Sequence, residues 1–314
     1  VGLGTGVPLP GISPLFPWGA AIDGTPVGLP DVPLNMFKKG ELNRVPTVFG
    51  TNLNEGNLFV PAVIVIAPGA PLIPIDNTTI AMTLRKFWDI FPVDAVESAI
   101  SQVLLAYPES DFSGGWERAG TIITHSMFSC PVRRAARVLV NAPPAPPADT
   151  LLRRRFRCAR KGGKACVDDG RGAGPDVAMA SSPPPLWLYA FKYTMDWIDG
   201  ELLGDYHSSE LSFVWDNQWP PLLHDFSTND QEMSDAFSLF WTNMAKFSSP
   251  DSPEVPLTWP QYEWSGNTTN LRGAATGQDV NMVMQLPLQL ETGYVEVLCD
   301  MWDGITKKLQ AARA

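Results

Sequence analysis

Two short segments hold residue types that could together hydrolyse a bond. Val45-Pro46-Thr47-Val48-Phe49-Gly50-Thr51-Asn52-Leu53-Asn54-Glu55-Gly56 ends on a carboxylate, and Gly204-Asp205-Tyr206-His207-Ser208-Ser209-Glu210, far downstream, centres on an imidazole. A neutral imidazole takes a proton from a hydroxyl nucleophile, and a carboxylate beside it fixes the ring tautomer and stabilises the imidazolium that forms. An acid followed by a histidine supplies two members of such a triad. In one recurring chain order the nucleophile precedes both, on a sharp Gly-x-Ser-x-Gly turn. No Gly-x-Ser-x-Gly occurs in the sequence, and the nearest approach, Gly11-Ile12-Ser13-Pro14-Leu15, lacks the closing glycine.

The elements that must position these groups are readable around them. Pro46 to Gly50 is a short apolar run followed at once by the polar Thr-Asn-Leu-Asn-Glu-Gly stretch. A buried parallel strand delivers a carboxylate at its C-terminal end in this way, and ligands collect at such ends in open α/β sheets. Leu186 to Tyr193 reads as a second buried strand, and the polar segment after it carries His207 on a loop. Thr228 opens a helix with Gln231 three residues on, a capping-box pattern, and Met233, Phe237, Phe240, Trp241 and Met244 recur at helical spacing as a core stripe. Trp302 and Ile305 in a terminal helix read as packing residues.

Composition sets the broad class. The 314 residues, 45% hydrophobic, suffice for one large α/β domain. A net charge of −10 argues against a nucleic-acid partner, since that contact needs a basic surface. Val60 to Ile66 is too short to span a bilayer, and Pro61, Pro68, Pro71 and Pro74 break any longer helix around it, so no membrane anchor is expected. The Gly/Pro-rich start, Gly2 to Pro17, has no basic stretch leading into an apolar one, so no signal peptide is read there. Residues 141–185 differ from the rest: eight basic and four acidic residues give +4 against −14 elsewhere, with prolines at both ends and a glycine-rich middle. Such a composition buries little, and the segment reads as a disordered insert. A surface loop, a basic docking segment and sequence absent from the mature message all fit it. Cys158 and Cys166 within it lack zinc-site spacing, and neither His125 nor His224 sits in a metal-spaced cluster, so no metal or cofactor is expected.

The sequence as a whole resembles the C-terminal part of the type-B carboxylesterases, the family that includes the cholinesterases. Ile22-Asp23-Gly24 with Pro30 and Pro33 is similar to the family's "DG..lP..P", and Val45 to Gly56 resembles "vP.l.Gt...EG". Thr124 to Pro131 resembles "tD..F.cP" with His125 in place of the usual aspartate, and Trp187 to Phe191 looks like a late core strand. Gly204 to Glu210 with Phe213-Val214-Trp215 resembles "g..H..El.fvf". Phe240 to Ala245, Trp259 to Tyr262 and Cys299 to Asp303 complete a series that the insert interrupts once.

That resemblance implies an α/β-hydrolase fold, incomplete at its N-terminus: a mostly parallel central sheet flanked by helices, with residues 1–314 forming the C-terminal part of one domain. It implies Glu55 as triad acid and His207 as base, with the serine and the oxyanion loop on an upstream segment. Their separation of 152 residues exceeds the family's by roughly the length of the insert. Glu210 reads as a helix cap or a partner of the pair rather than a catalyst. Cys130 and Cys299 match the family's disulfide cysteines, which implies a disulfide and an oxidising, secretory compartment, the alternative being two free buried thiols. The sequons Asn77-Thr78-Thr79 and Asn267-Thr268-Thr269 lean the same way. The substrate implied is a small-molecule ester, and the C-terminal helix is the implied surface for a homo-oligomer. Without its serine the chain is expected to be inactive alone. The competing reading is a non-catalytic cholinesterase-like recognition or adhesion domain, for which retention of both Glu55 and His207 would have no chemical reason.

Overall fold

The computed structural model describes residues 22–25, 28–65, 74–144, 182–195, 203–217, 225–264 and 279–313. Most of the basic insert, with Cys158 and Cys166, lies outside them, as do Asn267 and His224.

Among the described residues four strands form one sheet in the order β1 (Thr47–Asn52), β2 (Leu186–Phe191), β3 (Val280–Met284) and β4 (Gln289–Thr292). The first three run parallel, with Thr47 opposite Leu186, Asn52 opposite Phe191, and Tyr189 opposite Met282; β4 closes the far edge antiparallel to β3. This is the mostly parallel open sheet with flanking helices that the sequence led us to expect. β2 is buried on both faces, as an apolar strand between helical layers must be. Trp187 and Phe191 point to one side, into a cluster with Phe213, Met233, Phe237, Phe240 and Trp259. Leu186 and Leu188 point to the other, against Ala136 and Tyr262. The two buried indoles are satisfied by main chain: Trp187 Nε1 donates to the Trp259 carbonyl at 3.1 Å and Trp259 Nε1 to the Leu188 carbonyl at 3.0 Å.

The helices are α1 (Pro33–Lys38), α2 (Val60–Val65), α3 (Asn77–Phe87), α4 (Val93–Ala106), α5 (Gly115–Ile123), α6 (Cys130–Val140), α7 (Leu211–Val214), α8 (Thr228–Phe247) and α9 (Glu296–Arg313). α8 carries the aromatic stripe, and its buried residues include Met233, Phe237 and Phe240. Its cap lies one residue earlier than the spacing predicted. Ser227, not Thr228, accepts from the Asp230 N–H, and Asp230 answers onto the Ser227 N–H, because a serine with an acid three residues on makes the same reciprocal box.

Away from the sheet, α3, α4 and α9 enclose a helical core that includes Ile80, Phe87, Ile100, Trp302, Ile305 and Leu309. Cys130 at the start of α6 is disulfide-bonded to Cys299 in α9, closing 169 residues. Arg134 pairs with Asp303 at 2.6 Å, Arg133 with Asp300 at 2.9 Å and Arg137 with Glu296 at 3.0 Å along the same seam. The two ends of the insert meet beside β1. Arg44 donates to the carbonyls of Pro143 and Ser182, and Thr47 N–H to that of Pro185.

Candidate active site

β1 places the acid. In its parallel ladder the N–H groups of Thr47 and Leu53 point to the β2 side, donating to Pro185 and Phe191. The N–H of Asn52 therefore points to the opposite edge, where it donates to Glu55 Oε1 at 2.9 Å. Chain polarity thus turns the strand's last free donor onto the carboxylate. Glu55 opens a 3-10 helix, Glu55–Phe59, whose entry is packed tightly: the Gly56 N–H donates to Thr124 Oγ1 at 2.8 Å, and a Cβ on Gly56 would lie 2.0 Å from the Gly120 carbonyl oxygen.

The loop from Leu203 to Glu210 places the base. Asn54 and Tyr206 form an isolated parallel bridge, with the Asn54 N–H donating to the Asp205 carbonyl and the Asp205 N–H to Asn54 Oδ1, both at 3.1 Å. Asn57 Nδ2 reaches the Leu203 carbonyl at 2.9 Å. The loop turns through left-handed backbone at Gly204 (φ +68°) and again at Ser208 (φ +71°), the second a conformation that costs a non-glycine residue about 1 kcal/mol or more. His207 stands between those turns.

Residues 152 apart in sequence meet here. His207 Nδ1 lies 2.6 Å from Glu55 Oε2. An ionised carboxylate only accepts, so beside one Nδ1 carries the proton and Nε2 of the neutral ring keeps its lone pair. The side chain of Glu55 is 8% exposed and that of His207 38%, so the carboxylate is enclosed while the ring can be reached. Phe59 and Phe128 flank the imidazole, each with its ring centre 5.2 Å away. The Glu55 hydrogen bond raises the His207 pKa above the ordinary imidazole value, outweighing the opposite effect of burial, and the Glu210 charge adds to the rise. Burial raises the Glu210 carboxyl, and burial pushes Asp205 up to about 6 against the hydroxyl of Thr194, which donates to it at 2.6 Å.

Glu210 does not cap a helix. It precedes α7, but its side chain makes no cap bond and instead accepts from Asn52 Nδ2 at 2.5 Å. Glu210 thereby shares Asn52 with Glu55 and with the Tyr206 carbonyl. His125 is buried, its Nδ1 shares a hydrogen bond with the Tyr107 hydroxyl at 2.9 Å, and burial lowers its pKa to about 4, so it stays neutral. Asn77 is exposed at the first position of α3, with its Oδ1 accepting from Arg118. Asn52, Asn57 and Thr124 escaped the sequence reading because each is a plain polar residue whose partners lie far off in the chain. Among the described residues no cluster of histidine, cysteine or acid could hold a metal ion, and no helix is long and apolar enough to cross a membrane.

The carboxylesterase family model matches residues 176–291, the stretch that holds β2, the His207 loop and α8. That stretch of the chain is carboxylesterase-like. His207 and Glu210 fall inside the matched stretch, whereas Glu55, Cys130 and Cys299 lie outside it. The sheet with its flanking helices is accordingly part of an α/β-hydrolase fold, and the family's chemistry is the hydrolysis of small-molecule carboxylic esters. No individual curated protein matches the chain.

Proposed function

We propose that this chain carries the acid and base of a serine carboxylesterase, Glu55 and His207, and acts with a serine that its 314 residues do not place on a Gly-x-Ser-x-Gly turn. The observation that carries the reading is the 2.6 Å contact between a buried carboxylate oxygen and Nδ1 of a reachable imidazole. In that arrangement Nε2 accepts the serine proton as the hydroxyl oxygen attacks the ester carbonyl carbon. The same proton passes to the departing alkoxide, which leaves as alcohol. Water, deprotonated by Nε2, then attacks the acyl-enzyme and releases the acid, while Glu55 holds the tautomer and the charged ring throughout. Phe59 and Phe128 line the approach with apolar rings, which favours uncharged esters. The Cys130–Cys299 disulfide supports a secretory location, and exposed Asn77 offers a glycan site there.

The test is turnover of a p-nitrophenyl ester by the 314-residue chain and by a longer form joined to a segment that supplies a Gly-x-Ser-x-Gly turn. The chain alone should show no His207-dependent turnover. The longer form should hydrolyse the ester and lose about 10⁴-fold in kcat on Glu55→Gln or His207→Ala. A longer form whose rate is the same with and without His207 would replace this reading with that of a non-catalytic recognition domain.

A further inference from the structure

We propose that Asn52 is a positioning residue for the acid–base pair, its main chain orienting Glu55 and its side-chain amide holding both the His207 loop and the Glu210 carboxylate. The inference rests on reading Glu55 and His207 as acid and base. Asn52 is 1% exposed, at the last position of β1, and is paired with Phe191 of the buried strand β2. From that fixed point its N–H donates to Glu55 Oε1, the oxygen that His207 does not use. Its Nδ2 donates to the Tyr206 carbonyl at 2.8 Å, directly before His207, and to Glu210 Oε2 at 2.5 Å.

The side chain has to be an amide. Two acceptors converge on one atom at 2.8 and 2.5 Å, with the Ser209 hydroxyl a more distant third at 3.5 Å, and only an NH₂ group offers the two close ones a hydrogen each from a single short side chain. Serine would serve one of them. Aspartate would turn a lone pair onto a carbonyl and a carboxylate. The amide orientation is fixed for the same reason, since a flipped group would set oxygen against oxygen.

The consequence reaches the imidazole through Glu210. Its carboxyl is raised by burial and lowered by the Asn52 bond, so removing that donor moves it toward the neutral acid. Among the described residues, the charges that act on His207 are those of Glu55 and Glu210, and the rings of Phe59 and Phe128 beside it are apolar. A neutral Glu210 therefore weakens the field that favours the protonated ring. The loop itself should stay docked, because Asn54 and Asn57 hold it independently at Asp205 and Leu203.

The chain has three histidines, which makes the ring signals assignable by nuclear magnetic resonance, with His207→Gln identifying the one of interest. We expect Asn52→Ala to move the titration midpoint of His207 downward and to shift its Nδ1–H resonance. The control is Asn243→Ala, an equally buried asparagine that bonds Pro250 and Ser252 far from the pair and should lower the melting temperature without touching the His207 curve. If both variants leave that curve unchanged, the proposal is overturned. Should Asn52→Ala fail to fold, Glu210→Gln decides the matter: a lowered midpoint sustains the proposal and an unmoved one overturns it. A His207 in the unaltered protein with no Nδ1 proton bonded to Glu55 would defeat the acid–base reading itself, which is a separate result. In the esterase joined to its nucleophile, Asn52→Ala should cost roughly tenfold to a hundredfold in kcat.

Discussion

Two junctions in this molecule join segments more than a hundred residues apart, and they are built from opposite materials. The seam between α6 and α9 uses a disulfide and three arginines, Arg133, Arg134 and Arg137, paired with Glu296, Asp300 and Asp303. The junction between the end of β1 and the His207 loop uses amide and main-chain donors, and among the described residues the groups bonded to Glu55 and Glu210 include no lysine or arginine. The difference follows from what each must do. A seam has only to stay closed, so strong charges and a covalent link serve it well. An arginine beside Glu55 would compete with His207 for the carboxylate and oppose the imidazolium that catalysis needs. Neutral donors orient the acid without taking its charge away from the base.

Breaking the seam should therefore cost stability and spare the site. The Cys130→Ser/Cys299→Ser double variant opens a loop of 169 residues, and the loss should be about 2–5 kcal/mol in chemical denaturation. The His207 titration should be unchanged under conditions where the variant is still folded. A displaced His207 curve in that variant would show that the two junctions are not separable.

The junction should behave the other way, losing less stability and more of its geometry. Gly204 sits at φ +68°, and a Cβ there would lie 2.3 Å from Asn54 Oδ1, the oxygen that accepts the Asp205 N–H. Gly204→Ala then combines left-handed backbone strain with a displaced asparagine, at a cost of about 1–3 kcal/mol. Urea denaturation would measure it, and the Nδ1–H signal of His207 should weaken in the folded variant. Unchanged stability together with an unchanged signal would mean that the Asn54 bridge does not set the loop.

The same contrast explains what could be read in the sequence. Strands announced themselves: the apolar run at 46–50 became Thr47–Asn52, and 186–193 became Leu186–Phe191. Glu55 and His207 were legible through motifs around them, and the cysteine pair through a family pattern. Asn52 was not, because its polar type reads as turn while the ladder with β2 carries the strand two residues further than the apolar run. Its importance depends on a loop more than 150 residues away, which no local pattern encodes. Glu210 was assigned to a helix end or to the pair on local grounds, and its bond to Asn52 was not legible there.

The smallest effect concerns pH and isolates the contact at the centre of the junction. Glu55 raises the His207 pKa, so the folded state holds that proton more tightly than the unfolded chain does. The associated stabilisation is complete below the ordinary imidazole value of about 6.5 and fades as pH rises through the higher folded value. The advantage of the protein over Glu55→Gln should thus be largest near about pH 6 and shrink toward about pH 9, to a remainder set by the neutral hydrogen bond. Because the imidazole is 38% exposed, solvent screens the pair, and the change should stay below about 1 kcal/mol. Denaturation of both proteins across that range measures it. A constant difference would show that His207 does not titrate against Glu55, and the 2.6 Å contact would then have no electrostatic consequence in solution.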